Sequence, residues 1–150
     1  MYGGASNSRL YNNTIIPLNN ARFKTITIGY TGCDDCIAKN IEFRSNATEG
    51  QKFEMCVTDQ DHSYSVYWTL SITISDAKGT LNKNADVTIL DKNNAVAIQT
   101  KVDNNGKISL ELLEYAVNGK EKNVLSPYTI IVGDFKKTVE LDCNKEIMVP

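Results

Sequence analysis

The sequence predicts an all-β protein, in which an antiparallel β-sandwich follows an N-terminal β-solenoid-like or irregular β segment. Residues 66–76, VYWTLSITISD, alternate apolar and polar side chains with the period of a half-buried strand. Further short alternating segments follow, separated by turn sequences. The chain holds 16 asparagines and only three prolines, a composition that favours short strands joined by tight turns.

Length and charge limit the classes of function. The 150 residues suffice for one domain or two small ones, and the change of pattern predicts a β-rich segment at 1–65 and a sandwich domain at 66–150. The 16 basic and 18 acidic residues are interspersed, so no nucleic-acid partner is expected. No apolar run approaches the roughly 20 residues that cross a bilayer, so no membrane partner is expected. Any secretion signal is expected to lie upstream or to have been removed.

The N-terminal segment contains a faint repeat. LYNNTI at 10–15 and FRSNAT at 43–48 look alike and are offset by 33 residues. Between and around them lie short β-branched segments at 24–29 and 40–46. Stacked coils of a parallel solenoid need short strands and Asn-bearing turns, because Asn tolerates the left-handed conformation and its amide can ladder between coils. An irregular meander is the alternative interpretation.

The C-terminal segment predicts seven strands. Turns are predicted at DAKG (76–79), DKNN (91–94) and DNNG (103–106), and residues 114–127 are predicted to form a longer loop. The side chains expected inside the sandwich are Trp68, Leu70, Ile72, Val87, Ile89, Ile108, Leu110, Ile130 and Val139.

This order of strands and turns resembles the transthyretin-like or carboxypeptidase-regulatory-like β-sandwich. Ala85 and Val87 match one passage of that pattern, and Asp103 with Gly106 match its turn. The resemblance implies a fold and no catalytic residues. The N-terminal segment resembles the last coils of a right-handed parallel β-helix of the pectate-lyase-like kind, which implies an extracellular or cell-surface protein.

Four cysteines, Cys33, Cys36, Cys56 and Cys143, allow three pairings. The CxxC spacing of the first two serves zinc, redox chemistry or a small disulfide loop. The flanking residues show no helix start that would activate a thiol, and no second close pair completes a zinc site. Structural disulfides between Cys33 and Cys36 and between Cys56 and Cys143 are favoured, with free thiols, metal binding or redox chemistry as alternatives.

Sequence motifs give little support to catalysis. Asp59, Asp61 and His62 invite a metal interpretation, but three such residues in a polar connector more often form a hydrogen-bonded turn. The only histidine is His62, and the sequence has no GxSxG, HExxH, P-loop or GxGxxG motif. No enzymatic activity, cofactor or metal site is therefore expected. A small enzyme that uses the N-terminal half is the second alternative.

Exposed aromatic rings are the candidate ligand-binding groups. The tyrosines and the tryptophan near the strands could stack on sugar rings; they are Tyr11, Tyr30, Tyr64, Tyr67 and Trp68. Trp68 shares the apolar face of its strand and is expected in the core, so Tyr67 and Tyr115 are the exposed candidates. The sequence thus predicts a non-catalytic extracellular structural or adhesive module, and the alternative is a carbohydrate-binding accessory module of a polysaccharide-degrading protein.

The N-terminal sequence predicts that the chain associates with a partner. The segment opens in mid-pattern at Tyr2-Gly3-Gly4, and residues 1–20 carry one charge, Arg9. Because terminal solenoid coils need a cap, residues 1–30 are expected to dock with other copies of the chain or with an upstream domain of its own precursor. The sequons at Asn12 and Asn46 are compatible with secretion.

Overall fold

The computed structural model describes residues 6–16, 26–28, 36–48, 55–57, 61–75 and 79–150. Every helix or strand in this part of the chain is a β-strand, which confirms the all-β class. No helix in these residues is long and apolar enough to cross a membrane. The chain divides into two compact units, Met1–Tyr67 with Tyr115–Val124, and Trp68–Glu114 with Leu125–Pro150. The domain boundary predicted after residue 65 stays a prediction.

Strands β7 and β10 contribute residues to both units. The described strands, in chain order, are β1 (Arg9–Tyr11), β2 (Thr14–Ile15), β3 (Ile26–Ile28), β4 (Ile41–Arg44), β5 (Ala47–Thr48), β6 (Met55–Val57), β7 (Ser63–Ile74), β8 (Asp86–Leu90), β9 (Val96–Lys101), β10 (Lys107–Asn118), β11 (Glu121–Val124), β12 (Tyr128–Val132), β13 (Phe135–Val139) and β14 (Lys145–Val149).

Parallel strand pairs build the first unit, and two of those described share one offset. β1 pairs with β4 so that Arg9 lies beside Glu42, and β2 pairs with β5 so that Thr14 lies beside Ala47. The offset of 33 residues predicted from the two similar segments is the register of both pairs. β4 pairs parallel with β7, and β3 pairs parallel with β6. These pairings favour the solenoid-like alternative over the irregular meander. We call residues 6–16 the first coil and residues 39–48 the second coil.

Asparagine side chains join the two coils. The backbone N–H and Nδ2 of Asn13 both donate to Oδ1 of Asn46, at 3.0 and 2.9 Å, and Nδ2 of Asn46 donates to the carbonyl of Leu10 at 3.0 Å. At an earlier turn, Nδ2 of Asn40 donates to Oδ1 of Asn7 at 3.0 Å. Asn7 and Asn40 both have positive φ, 54° and 55°, which asparagine tolerates better than most residues. The amide ladder expected of stacked coils is therefore present.

The asparagines of the two sequons differ in solvent exposure. Asn46 is 1% exposed and both polar atoms of its amide are hydrogen-bonded, whereas Asn12 is exposed. Only Asn12 is therefore accessible to modification in the folded chain.

The predicted loop at 114–127 is wrong, because β10 extends to Asn118 and β11 returns beside it. Asn118 pairs with Glu121 across the turn formed by Gly119 and Lys120. Gly119 has a φ of 60°, which glycine adopts without the steric penalty of a Cβ. A glycine at the first position of a two-residue turn between β-forming segments is a hairpin signal, and Gly119 supplies it here.

The second unit contains two sheets. One is antiparallel with strand order β13-β12-β8-β9. In the other, β7 lies between β10 and β14, and β14 pairs parallel with residues 70–74 of β7. The two sheets agree with the predicted sandwich, but the parallel β14 makes the second sheet mixed, which corrects the expectation that all pairs are antiparallel.

The core of the second unit largely follows the predicted alternation. Seven of the nine residues predicted inside are buried; they are Trp68, Leu70, Ile72, Val87, Ile89, Ile130 and Val139. Ile108 and Leu110 are only half-buried, so their placement was wrong. Ile108, at the start of β10, lines a surface groove. A side chain beside a groove has fewer packing neighbours than one in the interior. Leu112 is the buried residue of that strand within this unit, at 3% exposure.

Two predicted turns are confirmed by their aspartates. Oδ1 of Asp91 accepts hydrogen bonds from the N–H groups two and four residues later, at 2.8 and 3.0 Å. Oδ1 of Asp103 accepts the same two bonds, both at 2.8 Å. Such Asx turns replace backbone bonds where the chain reverses. The turn predicted at 76–79 lies largely outside the described residues.

Replacing Gly106 with alanine is expected to destabilise the second unit by about 2 to 3 kcal/mol. Gly106 has a φ of 63°, and a Cβ there would lie 2.9 Å from the carbonyl oxygen of Ile74 and 3.1 Å from that of Asn82. Gly133→Ala is the matched control, since its φ is 54° and a Cβ would meet nothing within 4 Å, so about 1 kcal/mol is expected. Urea unfolding measures both; equal losses would show that the contacts around Gly106 add nothing.

Candidate functional site

The outward face of the parallel strands in the first unit carries the best-defined polar and aromatic group. Side chains alternate along β1, β4 and β7, so apolar residues such as Phe43 and Val66 are buried on one side. The pairing places the outward side chains in two rows. The residues of this outward face are Arg9, Glu42 and Ser65 in one row, and Tyr11, Arg44 and Tyr67 in the other.

Two arginines hold Glu42 on this face. Oε2 of Glu42 accepts a hydrogen bond from Nε of Arg9 at 2.6 Å and another from Nε of Arg44 at 2.8 Å. The side chain of Arg9 is 62% exposed, whereas that of Arg44 is 21% exposed. The outward face therefore carries two positive charges against one negative charge, and Arg9 presents the more accessible guanidinium.

Acidification is expected to weaken the first unit through Glu42. Hydrogen bonds from Arg44 and then from Arg9 hold the pKa of this carboxyl below its ordinary value. Its stabilisation is present above the unfolded-state pKa and is lost as the pH falls through the lowered folded-state pKa. The effect should be modest and salt-sensitive because the carboxyl is 30% exposed. Glu42→Gln should flatten the acid limb of unfolding free energy against pH; an unchanged limb would exclude this role.

Tyr67, one of the two predicted ligand-binding residues, lies on the outward face. Its ring is half-buried, and the guanidinium carbon of Arg44 lies 4.1 Å from the ring centroid, which is a cation–π contact. Tyr11, at the other end of the same row, is 53% exposed. The row thus has an accessible aromatic ring at one end and a ring stacked by arginine at the other.

A polar groove of about 410 Å³ adjoins this face. It is lined by Asn40, Glu42, Ser63, Tyr64, Ser65 and Asn118, together with two apolar neighbours. The Oγ of Ser63 accepts a hydrogen bond from the backbone N–H of Asn40 at 2.8 Å. Carboxylate, amide and hydroxyl groups beside aromatic rings suit a ligand rich in hydroxyl groups.

Tyr115, the other predicted ligand-binding residue, is not exposed as expected. It is 8% exposed. The ring of Tyr64 meets it edge-on with centroids 6.1 Å apart, and Nζ of Lys122 lies 3.8 Å from its centroid. The β11 hairpin that supplies Lys122 replaces the predicted loop, and this explains the error. Burial also raises the pKa of Tyr64.

His62 serves the fold of the first unit. It is 1% exposed, and its Nδ1 accepts a hydrogen bond from the backbone N–H of Ala38 at 2.9 Å. Burial, and then the charge of Lys39, lower its pKa. The carbonyl of Asp61 accepts a hydrogen bond from Nζ of Lys39, and Asp59 lies outside the described residues. Within the described ranges, no three His, Cys, Asp or Glu side chains are grouped to hold a metal ion.

The cysteine pairing is corrected at one position. Cys143 is an exposed free thiol, so the predicted bond between Cys56 and Cys143 is wrong. Partial desolvation, and then the charge of Asp142, raise the pKa of this thiol. The pairing of Cys33 with Cys36 stays a prediction, because Cys33 lies outside the described residues.

A second groove, of about 540 Å³, lies in the second unit. It is lined by Ser71, Ile72, Thr73, Lys101, Asp103, Lys107, Ile108, Ser109 and Glu146. The Oγ atoms of Ser71 and Ser109 lie 3.2 Å apart. Its two lysines and two carboxylates are of mixed sign and belong to turns and strand ends, so they define no ligand class. Sequence reasoning did not single out this groove.

Glu42 and Arg44 are the site residues that sequence reasoning missed. The signal was present in the 33-residue offset, which aligns Arg9 with Glu42 and Tyr11 with Arg44. Opposite charges and an aromatic–arginine pair at aligned positions of neighbouring parallel strands predict lateral contacts.

Fold and outward face together define an all-β protein with stacked parallel strands and a sandwich-like second unit. No protein-family model matches the chain, and no curated protein matches it. Among solved structures, it is similar to the Bacillus anthracis TIE protein, with 15% sequence identity and a TM-score of 0.41 over 69% of this chain. The match spans 18% of that chain. A likeness of this degree assigns neither the transthyretin-like nor the β-helix family.

Proposed function

We propose that the protein is a non-catalytic structural or adhesive module of the cell surface or extracellular space, which self-associates through the first coil. The same proposal takes residues 66–150 as a transthyretin-like sandwich and residues 1–65 as terminal coils of a β-helix. The 33-residue register supports the β-helix assignment, and the Asp103 turn with Gly106 supports the sandwich.

The observation that carries the proposal is the open edge of β1, the backbone side that faces away from the second coil. The N–H of Glu42 donates to the carbonyl of Ser8 at 2.9 Å, and the N–H of Asn12 donates to the carbonyl of Arg44 at 3.1 Å. In a parallel ladder, alternate residues point their backbone groups to opposite sides. The N–H and C=O groups of Arg9 and Tyr11 therefore point away from the second coil. Among the described residues, no strand pairs with that side of β1.

The side chains of the first coil do little to prevent association. Arg9 is its one charged residue, and Tyr11 and Ile16 are 53% and 65% exposed. In proteins that stay monomeric, the exposed edges of β-sheets are usually protected by charges, prolines or bulges. Of residues 1–30, for which docking was predicted, the structure describes 6–16 and 26–28, and the proposed contact lies in the first of these ranges.

Sedimentation velocity at about 0.1 mM, a concentration at which even weak specific interfaces form, tests the proposal. The chain should sediment as an oligomer, and Tyr11→Pro should shift it toward monomer because proline removes an N–H from the open edge. The hydrogen bonds between β1 and the second coil are made by backbone groups of residues other than Tyr11, so this substitution leaves them intact. Gln99→Pro, on edge strand β9 of the second unit, is the matched control and should leave association unchanged. A wild-type monomer would overturn the proposal.

Carbohydrate binding is the second candidate, favoured by the aromatic row and the adjoining polar groove. A sugar ring would stack on Tyr11 or Tyr67 while hydroxyl groups bind Glu42 and its neighbours. Calorimetry with soluble polysaccharides tests this: Tyr67→Ala should weaken binding about tenfold, whereas Tyr67→Phe, which keeps the ring, should not. Absence of binding to a broad glycan panel would reject this candidate. The small-enzyme alternative would require detectable turnover.

A further inference from the structure

We infer that a second copy of the chain pairs antiparallel with β1 across a two-fold axis, in the register that sets Arg9 of each copy opposite Tyr11 of the other. This inference rests on the proposed self-association and specifies its geometry. A two-fold contact uses the same patch on both copies and closes at the dimer. It therefore commits the open edge to one partner, a second copy of the same chain.

Backbone geometry selects the register. Arg9 and Tyr11 are the β1 residues whose backbone groups point outward, so bonded pairs must form between these positions. Pairing Arg9 with Arg9 or Tyr11 with Tyr11 would place the next bonded pair outside the three-residue strand. One of those registers reaches Asn7, whose φ of 54° is not extended. Pairing Arg9 with Tyr11 of the second copy keeps both bonded pairs inside β1.

Side-chain chemistry selects the same register. Identical arginines opposite each other would repel, whereas an arginine opposite a tyrosine makes a cation–π contact. The chain already uses this contact once on the same face, between Arg44 and Tyr67. Arg9 bonds Glu42 through Nε, and its side chain is 62% exposed; Tyr11 is 53% exposed, so both side chains are accessible to a second copy.

Replacing Tyr11 by a positively or a negatively charged residue tests the register. Tyr11→Lys places an ammonium opposite Arg9 of the second copy, and the dimer dissociation constant should rise about tenfold or more. Tyr11→Glu places a carboxylate there and should stay within about threefold of wild type. High salt should restore part of the Tyr11→Lys dimer because repulsion between exposed charges is screened. Adding Arg9→Gln to Tyr11→Lys should also restore it.

Each outcome decides between the inference and the broader proposal. Equal weakening by lysine and glutamate would overturn the register and leave self-association standing. Unchanged association in Tyr11→Lys would overturn the register as well. A wild-type chain that sediments as a monomer at about 0.1 mM would overturn both. Circular dichroism and urea midpoints equal to wild type establish that each variant is folded, and Arg9→Gln alone supplies a second folded variant in which the dimer should weaken severalfold.

Discussion

Trp68→Ala is expected to lower the free energy of unfolding of the second unit by about 3 to 5 kcal/mol. Trp68 is 2% exposed and is among the largest fully buried side chains described. Its Nε1 donates to Oε2 of Glu114 at 2.6 Å. Alanine would leave a cavity among well-packed neighbours and would also remove this donor from the partly buried carboxylate.

Trp68→Phe separates the two causes. Phenylalanine keeps much of the buried ring but cannot donate a hydrogen bond, so a loss of about 1 to 2 kcal/mol is expected. Urea unfolding, followed by far-ultraviolet circular dichroism because the tryptophan signal is lost, measures both variants. A loss below about 1 kcal/mol in Trp68→Ala would place Trp68 at the surface and would reopen its use as a sugar-stacking ring.

Local patterns predicted the parts of the fold that local physics determines. The alternation along β7 places Trp68 and Leu70 in the core because side chains of a strand point to opposite faces in turn. Asp103 and Gly106 specify a turn through their own hydrogen bonds and φ angle. The offset of 33 residues was visible because stacked coils place similar residues at equivalent positions.

Contacts between distant strands account for the errors. β14 pairs parallel with β7, and nothing in its five residues specifies the direction of a partner over 70 positions away. Ile108 follows the alternation of β10 yet borders a groove, because burial depends on what lies beside the strand.

The same distinction between local pattern and distant contacts applies to the residues of the candidate site. Tyr67 was predicted from its place on β7, whereas the burial of Tyr115 depends on Tyr64 and Lys122.

Asn46→Ala is expected to destabilise the first unit by about 2 to 4 kcal/mol. Asn46 is 1% exposed and makes three hydrogen bonds to the first coil, two with Asn13 and one with the carbonyl of Leu10. Alanine removes all three and leaves the partly buried N–H of Asn13 without its acceptor. Since these bonds hold the first coil on the second, the open edge of β1 should lose its order and self-association should fall with stability.

Asn13→Ala is the matched control, because Asn13 is exposed and its side chain makes one of the three bonds. Its backbone N–H still donates to Asn46, so a loss of about 0.5 to 1.5 kcal/mol is expected. Hydrogen exchange of the β1 and β4 amides gives a local readout: Asn46→Ala should speed exchange in both strands while the β8 and β12 amides of the second unit keep their protection. If Asn46→Ala costs no more than Asn13→Ala, the asparagine ladder does not hold the two coils together.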